Sequence, residues 1–118
     1  MEPDKTLRMS LLYDFFGDLL TEKQKEYFNL HYDEDLSLSE IAETAGISRQ
    51  GVRDIIVRAE NQLMEMEEKT GIVRRFSEMQ HDFSALEKAA DAVLRADDLD
   101  AAKEAARRIL AELEHLRS

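Results

Sequence analysis

The stretch LSLSEIAETAGISRQGVRDIIVRAE, residues 36–60, decides the fold. Its first half has the pattern of a short helix that ends at Gly46, where a tight turn needs a residue that tolerates positive φ. Ala42, four residues earlier, is small enough for two helices to cross closely. Ser48 is then suited to cap a second helix, which meets no helix breaker until Gly71. This spacing predicts a helix-turn-helix.

Apolar residues at regular positions are expected to hold the two helices together: Ile41, Ala45, Ile47, Val52 and Ile55. With these side chains turned inward, the start of the second helix is exposed and can enter a major groove. Arg49, Gln50 and Arg53 lie on that leading edge. Arginine can donate two hydrogen bonds to guanine, and glutamine can pair in the same way with adenine. We predict that Ser48 and Arg58 contact phosphates.

Helical periodicity continues through almost all of the 118 residues, which include one proline and four glycines. Composition and periodicity together predict an all-α protein. Three helices are expected before the long one. The first runs from about Lys5 to Leu19 or Leu20. The second runs from Glu22 to about Tyr32 and begins with a Thr21–Gln24 capping box, and the third runs from Leu38 to Ala45 and begins with a box of Ser37 and Glu40. The predicted apolar face of the first helix is Leu7, Leu11, Leu12, Phe15, Phe16 and Leu19.

Two seven-residue patterns fill the C-terminal part of the chain. The first comprises Ile72, Phe76, Met79, Phe83, Leu86, Ala90 and Val93, and the second comprises Leu99, Ala102, Ala106, Ile109, Leu113 and Leu116. A period of 3.5 is typical of helices that pack along their length. The pattern predicts an antiparallel hairpin, with Asp97 or Asp98 capping its second helix, or a seam shared with a second subunit.

These patterns divide the chain into two parts. Residues 1–71 form the predicted helix-turn-helix domain with its extended recognition helix. Residues 72–118 form a C-terminal helical hairpin that either packs on its own domain or makes a homodimer.

The net charge of −10 argues against a general attraction to nucleic acid. The predicted reading module is close to neutral, since residues 37–62 carry three basic and four acidic side chains. Binding must therefore be local and weak, or be helped by dimerisation.

Several other classes of protein are not expected. The chain has no cysteine, so disulfides and thiolate metal sites are excluded. No apolar run has the length of a membrane span, and the start of the sequence, residues 1–4, is acidic, unlike a secretory signal. We expect a cytoplasmic protein.

No catalytic or cofactor motif is present in the sequence. His31, His81 and His115 lie on separate predicted helices without metal-ligand spacing, and the acidic run 33–35 lacks the pattern of a calcium loop. There is no glycine-rich phosphate loop and no recognisable nucleophile arrangement. We therefore expect no enzyme activity, cofactor, metal or small-molecule substrate. Tri-helical units also serve as protein-interaction modules, so that alternative stays open.

The segments LTEKQKEYFNLHYDEDLS (residues 20–37) and LSLSEIAETAGISRQGVRDIIVRAENQL (residues 36–63) resemble the fourth region of bacterial sigma factors. That likeness implies a tri-helical core of the type found in the winged-helix superfamily. The chain is most similar to the YlxM family of small bacterial helix-turn-helix proteins. The opening segment KTLRMSLLYDFFGDLLTEKQ (residues 5–24) shares this resemblance, which covers about residues 5–76.

The resemblance implies a cytoplasmic regulatory or accessory protein linked to the signal recognition particle pathway, binding DNA or the particle's RNA. The alternative within the same family is a protein-interaction adaptor for signal recognition particle components, without direct nucleic-acid binding.

Overall fold

The computed structural model describes residues 3–117, with side chains from Asp4 onward, and within that range it contains α-helices and no strand. The helices are α1 (Pro3–Phe16), α2 (Glu22–Tyr32), α3 (Leu38–Ala45), α4 (Arg49–Thr70), α5 (Ile72–Arg95) and α6 (Leu99–Arg117), with a short 3-10 turn at Gly17–Leu19. The predicted all-α helix-turn-helix fold is confirmed. None of these helices combines the length and the hydropathy that a membrane span requires.

Two capping boxes begin α2 and α3 where the sequence predicts them. The Thr21 hydroxyl accepts a hydrogen bond from the Gln24 N–H, and the Gln24 side chain accepts one from the Thr21 N–H. Ser37 and Glu40 repeat this arrangement at α3. Hydrogen bonds from the backbone and then the hydroxyl of Ser37 lower the pKa of the Glu40 carboxyl. Each box satisfies backbone donors that have no acceptor within the helix.

Glycines in the left-handed region end α3 and α4, as their positions in the sequence predict. Gly46 has φ 72° and ψ 26°, and its N–H donates to the carbonyl of Ala42 at 2.9 Å. Gly71 has φ 64° and closes α4 in the same way. A side chain is strained in this conformation, which explains why the short turn between α3 and α4 contains glycine.

One face of α4 forms the centre of the core and contacts α1, α2 and α3. The buried residues are Met9, Leu12, Phe16, Leu20, Tyr27, Phe28, Tyr32, Ile41, Ala42, Val52, Ile56, Ala59, Leu63 and Val73. The Phe28 ring stacks on Tyr13 with centroids 4.9 Å apart, which adds aromatic attraction to the burial of area. The shorter helices therefore position α4 and leave its opposite face exposed.

The predicted apolar face of α1 is partly wrong. Met9 and Phe16 are buried, but Leu7 is 71 % exposed and Leu19 is 61 % exposed. The chain leaves the α-helix after Phe16 and turns through a 3-10 segment, which brings Leu20 rather than Leu19 into the core.

The contacts that lock α3 to α4 also differ from the prediction at two positions. Ile41 and Val52 are fully buried and Ile55 is partly buried, as predicted. Ala45 and Ile47 are exposed, because both lie at the outer end of the turn. Ile47 extends over the first turn of α4 instead of entering the core.

A buried polar contact joins α2 to α4. Glu60 is only 9 % exposed, and its carboxylate accepts a hydrogen bond from the Tyr32 hydroxyl. The Lys5 ammonium lies 3.7 Å from the same carboxylate oxygen. Burial, and then the hydrogen bond to Glu60, raises the pKa of the Tyr32 phenol, so the hydroxyl stays protonated as a donor. A buried carboxylate is tolerated here because it has both a donor and a counter-charge.

The chain divides into two compact units, one ending at Val73 and the other beginning at Arg74. In the second unit α5 and α6 form an antiparallel hairpin, in which His115 Nε2 lies 3.6 Å from a carboxylate oxygen of Asp82. Asp98 caps α6 by accepting from the Ala101 N–H at 2.8 Å, which confirms one of the two predicted caps.

The row of residues through which the two helices contact each other is shifted by one residue from part of the predicted heptad pattern. Ala89 and Ala105 are buried between them. Five members of the predicted rows are half-buried, as expected for a contact surface: Leu86, Val93, Ala102, Ile109 and Leu116. Other members are exposed instead: Met79, Phe83, Ala90, Leu99, Ala106 and Leu113. The prediction of this contact surface is therefore partly wrong.

Replacing Tyr32 with phenylalanine tests the buried contact. We expect Tyr32→Phe to lower the free energy of unfolding by about 1–3 kcal/mol, because Glu60 loses its hydrogen-bond donor in a buried position. Chemical denaturation followed by circular dichroism measures the change. Tyr27→Phe is the matched control, since Tyr27 is equally buried and its hydroxyl makes no hydrogen bond to another described residue. Equal stability losses in the two variants would contradict the assignment.

Candidate nucleic-acid interface

The exposed N-terminal part of α4 begins at Ser48. This residue has the extended backbone of an N-cap, and its hydroxyl oxygen accepts from the Gly51 N–H at 2.9 Å. That bond leaves the hydroxyl proton of Ser48 free to donate to a ligand oxygen such as that of a phosphate. The N–H groups of Arg49 and Gln50 precede the first intrahelical bond and point outward. The start of α4 is therefore a cluster of donors.

Arg49 and Arg53 are exposed and lie four residues apart, on the same side of α4. Arg58 is also exposed, but it is nine residues beyond Arg49, or about 14 Å along the helix axis. Among residues 4–117, no carboxylate lies within ion-pairing distance of any of these three guanidinium groups. Their hydrogen-bond donors remain available to a ligand.

Gln50 makes a contact that the sequence analysis missed. Its side-chain amide donates to a carboxylate oxygen of Asp54 at 2.9 Å, between exposed residues one helical turn apart. One of the two amide N–H groups is engaged, so Gln50 presents its carbonyl oxygen and its second N–H, and Asp54 presents its second carboxylate oxygen. Bidentate pairing of Gln50 with adenine can use these two free groups while the contact with Asp54 persists. The i, i+4 spacing of Gln50 and Asp54 was the signal that could have revealed it.

The exposed row of α4 thus presents two kinds of hydrogen-bonding group side by side. Arg49 and Arg53 are donors, while Gln50 and Asp54 present acceptors. Base edges in a major groove carry both donors and acceptors, and a carboxylate can accept from the amino group of cytosine. Asp54 also places a negative charge where phosphates would approach, which weakens any general attraction.

A shallow pocket beside Arg53 contains three further polar residues that the sequence analysis did not select as site residues. It is lined by Lys5, His31, Leu38, Arg53, Ile56, Val57 and Glu60. His31 Nδ1 lies 3.0 Å from the carbonyl of Leu36. A carbonyl only accepts, so Nδ1 carries the proton in this contact and Nε2 faces away from it. Residues from α1, α2 and α4 meet here through tertiary packing, which leaves no local pattern in the sequence.

The histidines of the second unit come closer together than the sequence indicated. His81 and His115 line one open pocket with Ser77, Glu78 and Asp82. Over the described residues, no three histidine or acidic side chains are arranged to hold a metal ion. The pocket is an ordinary polar surface around the Asp82–His115 pair.

Comparison with known proteins identifies the family. Residues 3–104 match the family model described as "Putative helix-turn-helix protein, YlxM / p13 like". A UPF0122 protein of Thermoanaerobacter sp. strain X514 is 49 % identical over 85 residues, which is 72 % of this chain and 73 % of that protein. A UPF0122 protein of Halalkalibacterium halodurans is 45 % identical over 96 residues, covering 81 % and 88 % of the two chains.

The UPF0122 protein YlxM of Bacillus subtilis is 42 % identical over 105 residues, which is 89 % of this chain and 96 % of that protein. The match extends through α5 and into α6 as well as the helix-turn-helix. This chain therefore belongs to the YlxM/p13-like family of helix-turn-helix proteins, UPF0122.

Proposed function

We propose that this protein is a nucleic-acid-binding regulatory or accessory protein that acts in the cytoplasm as a homodimer, with α4 as its recognition helix. The observation that carries the proposal is the placement of two arginines. Arg49 and Arg53 are exposed one helical turn apart at the start of α4 and have no acidic partner among residues 4–117. In a chain with 26 acidic and 16 basic residues, such arginines are most useful to an anionic ligand.

Each residue has a distinct proposed role. Arg49 and Arg53 contact base edges, since they lie on the leading edge of α4. Ser48 and Arg58 contact phosphates on either side of that edge. Gln50 contacts a base edge, where its carbonyl oxygen accepts and the amide N–H that Asp54 does not use donates.

A homodimer offsets the low positive charge of each reading surface. Two copies bring two recognition helices to one nucleic acid, and the second contact forms at a raised effective concentration. On duplex DNA the two helices would occupy half-sites about 34 Å apart, or a multiple of that distance.

Removing the two arginines tests the reading role. We expect Arg49→Ala with Arg53→Ala to weaken binding to duplex DNA or RNA at least about tenfold, because a bidentate base contact contributes about 1–3 kcal/mol. A gel shift at low salt against a randomised duplex pool measures this change. Lys23→Ala with Lys88→Ala is the control for net charge, since both lysines are exposed and lie on other helices. Unchanged retention in the arginine variant would refute the proposed function.

Removing one charge at Asp54 tests whether this residue limits general affinity. Asp54→Asn keeps an oxygen that can accept from Gln50 but removes the negative charge facing the phosphates. We expect roughly threefold tighter binding to non-specific duplex at low salt, and less change at high salt. Asp14→Asn on the exposed surface of α1 is the control. Equal binding by Asp54→Asn would place Asp54 away from the nucleic acid, and weaker binding would contradict the expected repulsion.

The second candidate function is a protein-interaction adaptor for signal recognition particle components. The net charge of −10 and the exposed apolar residues of α5 and α6 favour a protein partner. In this case the helix-turn-helix is a scaffold, and its arginines are not needed for binding.

Co-purification separates the two functions. If the adaptor function holds, the protein with both Arg49→Ala and Arg53→Ala should still co-purify with the particle's GTPase after nuclease treatment. The wild-type protein is the positive control. Absence of association between purified wild-type protein and the GTPase in analytical ultracentrifugation would remove the adaptor function and leave nucleic-acid binding untouched.

A further inference from the structure

One side of the α5–α6 hairpin carries a continuous set of exposed apolar side chains, which we call the hairpin face. Its large members are Met79, Phe83, Leu94, Leu99, Leu110 and Leu113, with 37–85 % of each residue exposed, and Ala90 and Ala106 lie between them. The region from Met79 to Leu94 is about 22 Å long, and two packed helices are about 20 Å wide. This footprint is comparable to the largest apolar patch on a typical monomer, roughly 300–600 Å², and such patches are often functional.

The geometry of the hairpin places both rows of apolar residues on the same side. Phe83 follows Asp82 of the contact row on α5, and Ala106 follows the buried Ala105 on α6. One residue corresponds to a rotation of about 100° around a helix. Because α5 and α6 are antiparallel, the same rotation from the contact row brings both sets of side chains to one face.

The interior of the hairpin is small, so the hairpin alone does not bury the apolar side chains of this face. Among residues 74–117, only Ala89 and Ala105 are buried, and the larger apolar side chains beside them, Leu86, Val93, Ile109 and Leu116, are half-buried. Helical domains bury their apolar stripes by packing a second layer against the first. The hairpin is a single layer, and a further pair of helices on the hairpin face would complete it.

The charges beside the hairpin face indicate what that second layer is. On α5 the outer edge of the face carries Glu87 and Asp91, and on α6 it carries Lys103, Arg107 and Glu114. The Asp82–His115 contact sets the register of the hairpin and puts the two edges at the same level to within about one helical turn. With two basic side chains and one acidic side chain the α6 edge is net basic, so its charge complements the acidic α5 edge of a second copy.

We infer that the hairpin face binds the same face of a second copy of this chain, with α5 of each copy packed on α6 of the other in a four-helix bundle. A two-fold axis parallel to the helices produces this arrangement. Glu87 and Asp91 then lie opposite Arg107 and Lys103 of the second copy. A two-fold axis perpendicular to the helices would instead place α5 on α5, with acid against acid and base against base.

Contacts within each helix do not compete strongly with these pairs. Asp91 pairs with Arg95 at 3.0 Å, and Arg107 pairs with Glu104 at 3.3 Å, but these side chains are at least half exposed. Exposed pairs of this kind contribute little and can rearrange or accept a further partner. The inference specifies the interface of the proposed homodimer and does not depend on whether the protein binds nucleic acid.

The first measurement is the mass of the full-length chain by sedimentation equilibrium, without nucleic acid. We expect a dimer, and we expect Phe83→Asp to shift it to monomer while circular dichroism reports unchanged helix content. Leu7→Asp is the matched control, because Leu7 is an exposed apolar residue of α1. A wild-type monomer up to about 100 µM, including one that packs the face on its own first unit, would overturn the inference. A dimer that persists in Phe83→Asp would do the same.

Charge reversal then tests the arrangement of helices. We expect Lys103→Glu with Arg107→Glu to raise the dimer Kd at least about tenfold at low salt, because acidic edges then meet. Adding Glu87→Lys and Asp91→Lys to the same chain should restore the wild-type Kd, since opposite charges face each other again. Lys88→Glu with Arg108→Glu makes the same change in net charge on other sides of the hairpin and serves as the control. No effect of the first reversal, or no restoration by the second, would overturn the arrangement.

Discussion

The burial of one face of α4 is the constraint on which the rest of the first unit depends. Val52, Ile56, Ala59 and Leu63 are at most 3 % exposed against three shorter helices. The Tyr32–Glu60 hydrogen bond adds a directional contact to this apolar packing. Rotation of α4 about its axis would leave the buried Glu60 carboxylate without its donor. Fixing one face of the helix also fixes which side chains point away from the core. The spacing of Arg49 and Arg53 along α4 places them on its exposed side, and the packing of the opposite side keeps them there.

Local features of the fold were predictable from the sequence because they depend on residues a few positions apart. The Thr21 and Ser37 caps and the glycine ends of α3 and α4 all have this property, and all were confirmed. The burial of a residue was harder to predict where it depends on how one helix packs against another. Leu7 and Met9 are both apolar residues of α1, and only the way α1 packs against α4 decides that Met9 is buried.

The same distinction applies to the candidate site. The pattern from Gly46 to Arg53 predicted the position of α4 and the exposure of its arginines, because both follow from the spacing of residues. It did not give the pocket beside Arg53, where Lys5 and His31 arrive from α1 and α2. The link between Gln50 and Asp54 is local and was open to prediction, but the hydrogen-bonding role of Gln50 depends on which half of its amide is engaged. The type and position of a residue therefore do not by themselves determine which of its polar atoms are free to bind a ligand.

The second unit shows how the period of a pattern can be right while its contact surface is only partly right. A heptad repeat fixes which residues share a stripe, but a helix with both alanine and leucine stripes can pack through either. Here Ala89 and Ala105 are buried in the hairpin, and Leu86, Val93 and Ile109 of the predicted rows are half-buried. Met79, Phe83 and Leu113 of the same rows remain exposed. The two alternatives in the sequence, a hairpin and a seam with another subunit, are thus compatible: one side of α5 and α6 forms the first, and the exposed apolar side is left available for the second.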